Sequence, residues 1–107
     1  MTPNDICLRV HKNQREFFDS KKSFELNYRI KSLKKLKATI IKFEKDIVDA
    51  LKLDLGKSYA ESYMSEISII YNEINYVLRN VKKWTNRKKV SSSLLNFFST
   101  DYIQPKP

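Results

Sequence analysis

Glycine, cysteine, histidine and tryptophan each occur once in these 107 residues, and acids are outnumbered by bases, 12 to 21. Each scarcity removes a class of function. A single cysteine, Cys7, cannot build a disulfide framework; it suits a reducing compartment, so a cytoplasmic setting is expected. Lying between Ile6 and Leu8 with no base or second thiol nearby, it reads as a packed side chain rather than a nucleophile. The one histidine, His11, has no clustered cysteine or carboxylate, so no metal-ligand set exists. The one glycine, Gly56, argues against a phosphate-cradling loop. Gly56-Lys57-Ser58 ends like such a loop, but Leu51 stands where the motif needs its first glycine, and the pattern before it is helical. Glu66 and Glu73, two helical turns apart, read as surface carboxylates rather than an acid/base pair. The longest apolar run is three residues, as at Ile69-Ile70-Tyr71, and none follows residues 1–5 as in a secretory leader, so a soluble chain without a membrane segment is expected. No catalytic, cofactor-binding or metal-binding residue is assigned.

What is present is positive charge and helical periodicity. The formal net charge of +9 brings nucleic acid, acidic membrane surface and acidic protein into consideration as partners. The length suits one small domain, able to hide roughly two-thirds of its unfolded surface. Thr2-Pro3-Asn4-Asp5 opens a short first helix, with Thr2 as N-cap, Pro3 at the first helical position and Asp5 in the first turn. Its apolar positions Ile6, Val10, Phe17 and Phe18 keep to one side, but Asn13 and Gln14 interrupt the stripe, so it depends on packing across something larger. Ser20-Lys21-Lys22-Ser23 breaks the pattern in a tight bend, with Ser23 as the next N-cap.

Over 24–55, Leu26, Ile30, Leu33, Leu36, Ile40, Phe43, Ile47 and Leu51 recur every three or four residues, predicting one long helix. Lys31, Lys34, Lys35, Lys42, Lys45 and Lys52 fall on the opposite side, with the densest positive charge over 29–37. A membrane-surface role for this basic amphipathic helix is disfavoured because a partner helix is expected to claim its oily face. Gly56 supplies the positive φ that closes the helix, and Ser58-Tyr59-Ala60-Glu61 has the S-x-x-E form of a capping box that opens the next. Gly56, Ser58 and Glu61 thus form a structural corner. Beyond it Tyr63, Ile67, Ile70, Ile74, Val77, Val81 and Trp84 alternate spacings of four and three, a seam of the coiled-coil type widened by Tyr71 and Leu78. An antiparallel pair of long helices follows as the simplest packing.

Lys82-Lys83-Trp84 and then Arg87-Lys88-Lys89 place an aromatic among cations, which suits a free-standing basic module that pairs phosphates and stacks a base. Trp84 also occupies a seam position, which explains it equally well, so specific nucleic-acid binding is the alternative rather than the main reading. From Ser91 helical periodicity ends. Residues 100–104, Thr-Asp-Tyr-Ile-Gln, have the composition of a strand, yet no second convincing strand offers itself to satisfy their backbone groups. The fold expected is all-α: a helical hairpin of two long helices plus a short N-terminal helix, occupying residues 1–90, with a strand-like C-terminal tail over 91–107.

Taken in order, Gln14-Arg15-Glu16-Phe17-Phe18, Arg29 with Leu33, Lys35 and Leu36, Asp54-Leu55-Gly56-Lys57-Ser58, Ser65-Glu66-Ile67, Asn72-Glu73-Ile74, Lys82-Lys83-Trp84 and Asp101-Tyr102-Ile103-Gln104-Pro105-Lys106-Pro107 form a series. That series resembles the amino-terminal part of an NAD(P)-dependent aldehyde dehydrogenase, nearest the class acting on fatty and aromatic aldehydes. Asp19-Ser20-Lys21-Lys22-Ser23 departs from it, since relatives often carry glycine in that bend. The resemblance implies an enzyme that oxidises aldehydes to acids with NAD or NADP, through a thiohemiacetal on a cysteine and hydrolysis aided by a glutamate. It also implies that those residues and the cofactor turn lie outside this chain; Cys7 does not match the nucleophile. The expectation is a non-catalytic scaffold segment, inactive alone and binding no cofactor, with the tail leading toward a missing cofactor domain. Its partner would be the rest of the dehydrogenase chain, and the isolated segment should self-associate as a homo-oligomer. The candidate association surface comprises Ile67, Ile70, Ile74, Trp84, Tyr102 and Ile103.

Overall fold

The computed structural model describes residues 1–96 and 98–107. Five α-helices come first: α1 (Pro3–Asp19), α2 (Leu26–Lys42), α3 (Glu44–Leu55), α4 (Tyr59–Ser62) and α5 (Ser68–Thr85). Two short strands, β1 (Lys88–Val90) and β2 (Asp101–Ile103), end the described chain. The all-α class holds.

Local chemistry explains the helix ends. Thr2 caps α1 in a complete box: its hydroxyl accepts from the Asp5 N–H at 3.2 Å, while the Asp5 carboxylate accepts from the Thr2 N–H at 3.0 Å. Hydrogen bonding to Thr2, first from its side chain and then from its backbone, holds the Asp5 carboxyl below the ordinary aspartate range. Gly56 closes α3 at φ 66°, its N–H donating to the Lys52 carbonyl. The Ser58 hydroxyl accepts from the Glu61 N–H at 3.2 Å and opens α4. At this corner only the serine half of the capping box is made; the reciprocal carboxylate bond is found in the Thr2 box.

Several sequence-based expectations change. The first helix is not short, since α1 and α2 are 17 residues each, and it does not lie across the others. Instead α1 projects as an arm without a single buried residue, anchored at its end by Phe17 against Tyr28 (5.9 Å between ring centroids) and Phe18 against Phe24 (5.0 Å). Cys7 on that arm is accordingly exposed rather than packed. At the bend Lys21, not a glycine, takes the left-handed conformation at φ 62°. Ser23 does not cap α2: it lies in a 3-10 turn (Lys22–Phe24), its carbonyl accepting from Arg29 Nε at 2.6 Å, and Glu25 occupies the cap position without a side-chain bond.

The single helix expected over 24–55 is broken at Phe43, which adopts φ −101°, ψ 14°. Upstream, the Thr39 hydroxyl donates back to the Lys35 carbonyl at 2.8 Å, a bond that bends helices, and Ile40 and Ile41 crowd the same turn. Downstream, Glu44 and Asp46 suit a new amino terminus. The helix after the corner is likewise interrupted, by a π turn over Tyr63–Ile67 between α4 and α5. Ser65 and Ser68 donate their hydroxyls to the Glu61 and Met64 carbonyls around that turn, at 2.7 and 2.9 Å.

The two legs run antiparallel. Lys37 Nζ donates to Asn75 Oδ1 at 2.8 Å, Tyr71 Oη to Glu44 Oε2 at 2.8 Å, and Lys57 Nζ to Glu66 Oε1 at 2.6 Å, so successive contacts step up one leg and down the other. The tail is not partnerless. β1 pairs antiparallel with β2 in the register Lys88 with Ile103, Lys89 with Tyr102 and Val90 with Asp101. Part of the basic run that reads as a helix end is therefore the missing strand, because Asn86 turns the backbone extended at ψ 147° and ends α5 there. The boundary drawn at residue 90 falls between two strands that bond to each other.

Burial is sparse. Val48, Ile67, Ile74 and Val81 are the buried apolar side chains among the described residues, and the radius of gyration is 20.6 Å. A closed globule of this length would have a radius near 13 Å. The excess is the projecting arm, the long hairpin and a loop whose Leu94, Leu95 and Phe98 are almost wholly exposed.

Candidate functional site

The heptad-like pattern on α5 resolves into two rows. Ile67, Ile74 and Val81, seven residues apart, are all buried; together with Val48 of α3 they form the core of the hairpin. Ile70, Val77 and Trp84, also seven apart, form the second row: Val77 is half-buried, while Ile70 and Trp84 are 43% and 45% exposed. Within this chain one row is filled and the other is left partly exposed. Trp84 packs against Tyr76 in a tilted pair, with centroids 5.6 Å apart and the ring planes at 59°. Of the residues named as an association surface, Ile67 and Ile74 are thus consumed by the core and drop out. Ile70, Trp84, Tyr102 and Ile103 stay accessible, with Tyr102 stacked under the Arg87 guanidinium at 4.2 Å.

The corner carries the densest polar network. Glu44, at the start of α3, accepts from Tyr71 Oη at 2.8 Å and from Tyr59 Oη at 3.3 Å. Burial, then the hydrogen bond to Glu44 and its charge, push the Tyr71 hydroxyl from the usual 10.0 up to about 12. The Glu44 charge leads the upward shift of Tyr59. Lys57 is shared between Glu66 and Ser65, at 2.6 and 3.3 Å. An open cleft of about 630 Å³ lies beside this network, with Lys45, Asp49, Lys52 and Gly56 in its wall. Lys45 and Asp49 bond each other at 2.8 Å, which leaves Lys52 as a cation of the wall in no ion pair among the described residues. Gly56 and Ser58 serve as helix caps there, and Glu61 contributes its backbone N–H.

No catalytic constellation assembles among the described residues. Cys7 and His11 sit one helical turn apart on the α1 arm without a hydrogen bond between them, Cys7 is exposed, and no group of three or more His, Cys, Asp or Glu residues among the described residues could hold a metal ion. No helix among the described residues is long and apolar enough to cross a membrane. Sequence reading missed β1 and the π turn; Ser65 and Ser68 were the available signal for the turn, since back-bonding hydroxyls at i, i+3 spacing loosen a helix.

No protein-family model matches the chain. Individual proteins do. A 4,4'-diaponeurosporen-aldehyde dehydrogenase of Staphylococcus aureus is 35% identical over 95 residues, which are 89% of this chain and 21% of that protein. Aldehyde dehydrogenase family 3 member A2 of Macaca fascicularis is 36% identical over 93 residues, 87% of this chain and 19% of that protein. The chain therefore spans about a fifth of the length of these curated relatives, at 21% and 19%. The solved substrate-bound state of Staphylococcus aureus AldH superimposes on all of this chain with a TM-score of 0.90 and 32% identity, using 23% of its own length. By that identity and that superposition, the chain is an aldehyde-dehydrogenase-like segment, corresponding to an amino-terminal part of those enzymes.

Proposed function

We propose that this chain is a non-catalytic scaffold and association segment of an aldehyde dehydrogenase whose complete form oxidises aldehydes to carboxylic acids with NAD or NADP. The observation that carries this reading is the divided seam of α5, one row buried at Ile67, Ile74 and Val81 and the other open at Ile70 and Trp84. An exposed apolar row beside a filled one is a surface prepared for a further element. The remaining dehydrogenase chain is that element, and without it a second copy covers the row. The hydrated tail residues Tyr102 and Ile103 extend the same tendency.

The residues present do not fit a nicotinamide dinucleotide. Such a cofactor needs a glycine-bearing turn between a strand and a helix, with backbone amides turned to the pyrophosphate; the one glycine here follows helix α3 as its cap. The thiol and carboxylate of aldehyde oxidation belong, on this reading, to other parts of the enzyme, and Cys7 has no role in them. A cytoplasmic, reducing setting suits its free thiol.

Light scattering at high micromolar concentration tests the association. Wild type should be a dimer or larger, and Ile70→Asp combined with Trp84→Asp should be monomeric with an unchanged helical spectrum; a strictly monomeric wild type overturns the proposal. An aldehyde-dependent rise in NADH absorbance from this chain alone would overturn its non-catalytic half.

A further inference from the structure

Helix α2 carries Arg29, Lys31, Lys34, Lys35, Lys37 and Lys42 and not one acid. Two of these cations are spent inside the chain, Arg29 on the Ser23 carbonyl and Lys37 on Asn75 of α5. The Asn75 bond marks the side of α2 that faces its partner helix. Counting about 100° per residue, Lys31, Lys35 and Lys42 fall within roughly 40° of one another on the opposite side. They form a ridge about 16 Å long at 1.5 Å per residue. All three are exposed, and none is in an ion pair among the described residues; Lys42 lies 5.4 Å from the Phe43 ring.

We infer that this ridge docks the chain on an anionic lipid bilayer. Three ammonium groups along one side of a continuous helix reach a plane together, which matches the geometry of a bilayer surface. Lysine is a compact point charge suited to a diffuse anionic layer, whereas duplex recognition favours the forked guanidinium, and the one arginine of α2 is occupied. The oily side of α2 faces α5, so contact is electrostatic and made without insertion; Leu36 and Ile41 lie on the flanks, half exposed. This is a different mode from the insertion that a claimed apolar face disfavours. It is independent of the association through α5.

Co-sedimentation of the full chain with vesicles tests it. Wild type should bind phosphatidylcholine/phosphatidylserine vesicles at low salt, release at high salt, and ignore pure phosphatidylcholine. Lys31→Glu/Lys35→Glu/Lys42→Glu should lower the partition coefficient at least about 100-fold, at about fivefold per lysine. Lys52→Glu/Lys83→Glu/Lys106→Glu, with the same net charge, should lower it far less. The uncharged triple Lys→Gln ridge variant should preserve that order if charge reversal disturbs folding. Failure of wild type to bind anionic vesicles, equal losses in ridge and control variants, or tighter binding to duplex DNA at the same salt would each overturn the inference.

Discussion

Ser62 is fully buried, and its hydroxyl finds no hydrogen-bond partner. An unsatisfied buried hydroxyl costs more than the methyl that would replace it, so Ser62→Ala should raise stability by about 1 kcal/mol, read as an upward shift in the urea midpoint. Lys21 presents the opposite case, a strained backbone in a solvated place. Holding an L-residue left-handed costs about 1–2 kcal/mol, and glycine returns part of that to the unfolded chain, so Lys21→Gly should gain about 0.5–1 kcal/mol in the same measurement. Tyr71 gives a pH dependence. Its folded hydroxyl titrates near 12 against 10.0 unfolded, so the folded state holds the proton more tightly. The stabilisation is complete below pH 10 and disappears as pH climbs from there toward 12. Comparing alkaline unfolding of wild type with Tyr71→Phe isolates this loss from lysine titration; the variant should show a shallower decline.

At the scale of elements, the two rows of α5 make different demands. Ile67→Ala empties a fully enclosed site and should cost about 2–4 kcal/mol, whereas Ile70→Ala should change monomer stability by less than about 0.5 kcal/mol. Denaturant titration at low protein concentration separates them. The seam was legible because both rows keep one sequence period from the end of the π turn through α5, but periodicity alone does not say which row a chain fills for itself. The caps at Thr2, Gly56 and Ser58 were legible for a simpler reason: each is a bond between a side chain or a glycine torsion and its own neighbouring backbone. The break at Phe43 was hidden under an unbroken apolar stripe, since a bent helix keeps its stripe while changing direction. β1 was hidden by composition. Lys88 and Lys89 look like the charged end of a helix, and only pairing with residues thirteen or more positions later makes them strand.

The molecule as a whole is long and thin, 64 × 40 × 23 Å. Four buried apolar side chains among the described residues make a small core, so apolar surface is divided between what the chain covers and what it presents. Small-angle scattering at low concentration should return a radius of gyration near the 20.6 Å of the structure; a value near the 13 Å of a closed globule would show that the arm folds back onto the hairpin. The family assignment was legible only from the ordered series of short matches spread along the chain, because no single one of them carries chemistry. The arm itself is a lever. Its 17 residues extend about 25 Å beyond Lys21, so a swing of some 10° at that torsion displaces the tip by about 4 Å by the same rise per residue. The Phe17–Tyr28 and Phe18–Phe24 contacts span that bend, so the two aromatic pairs and the side chain at position 21 together set how far the tip can travel.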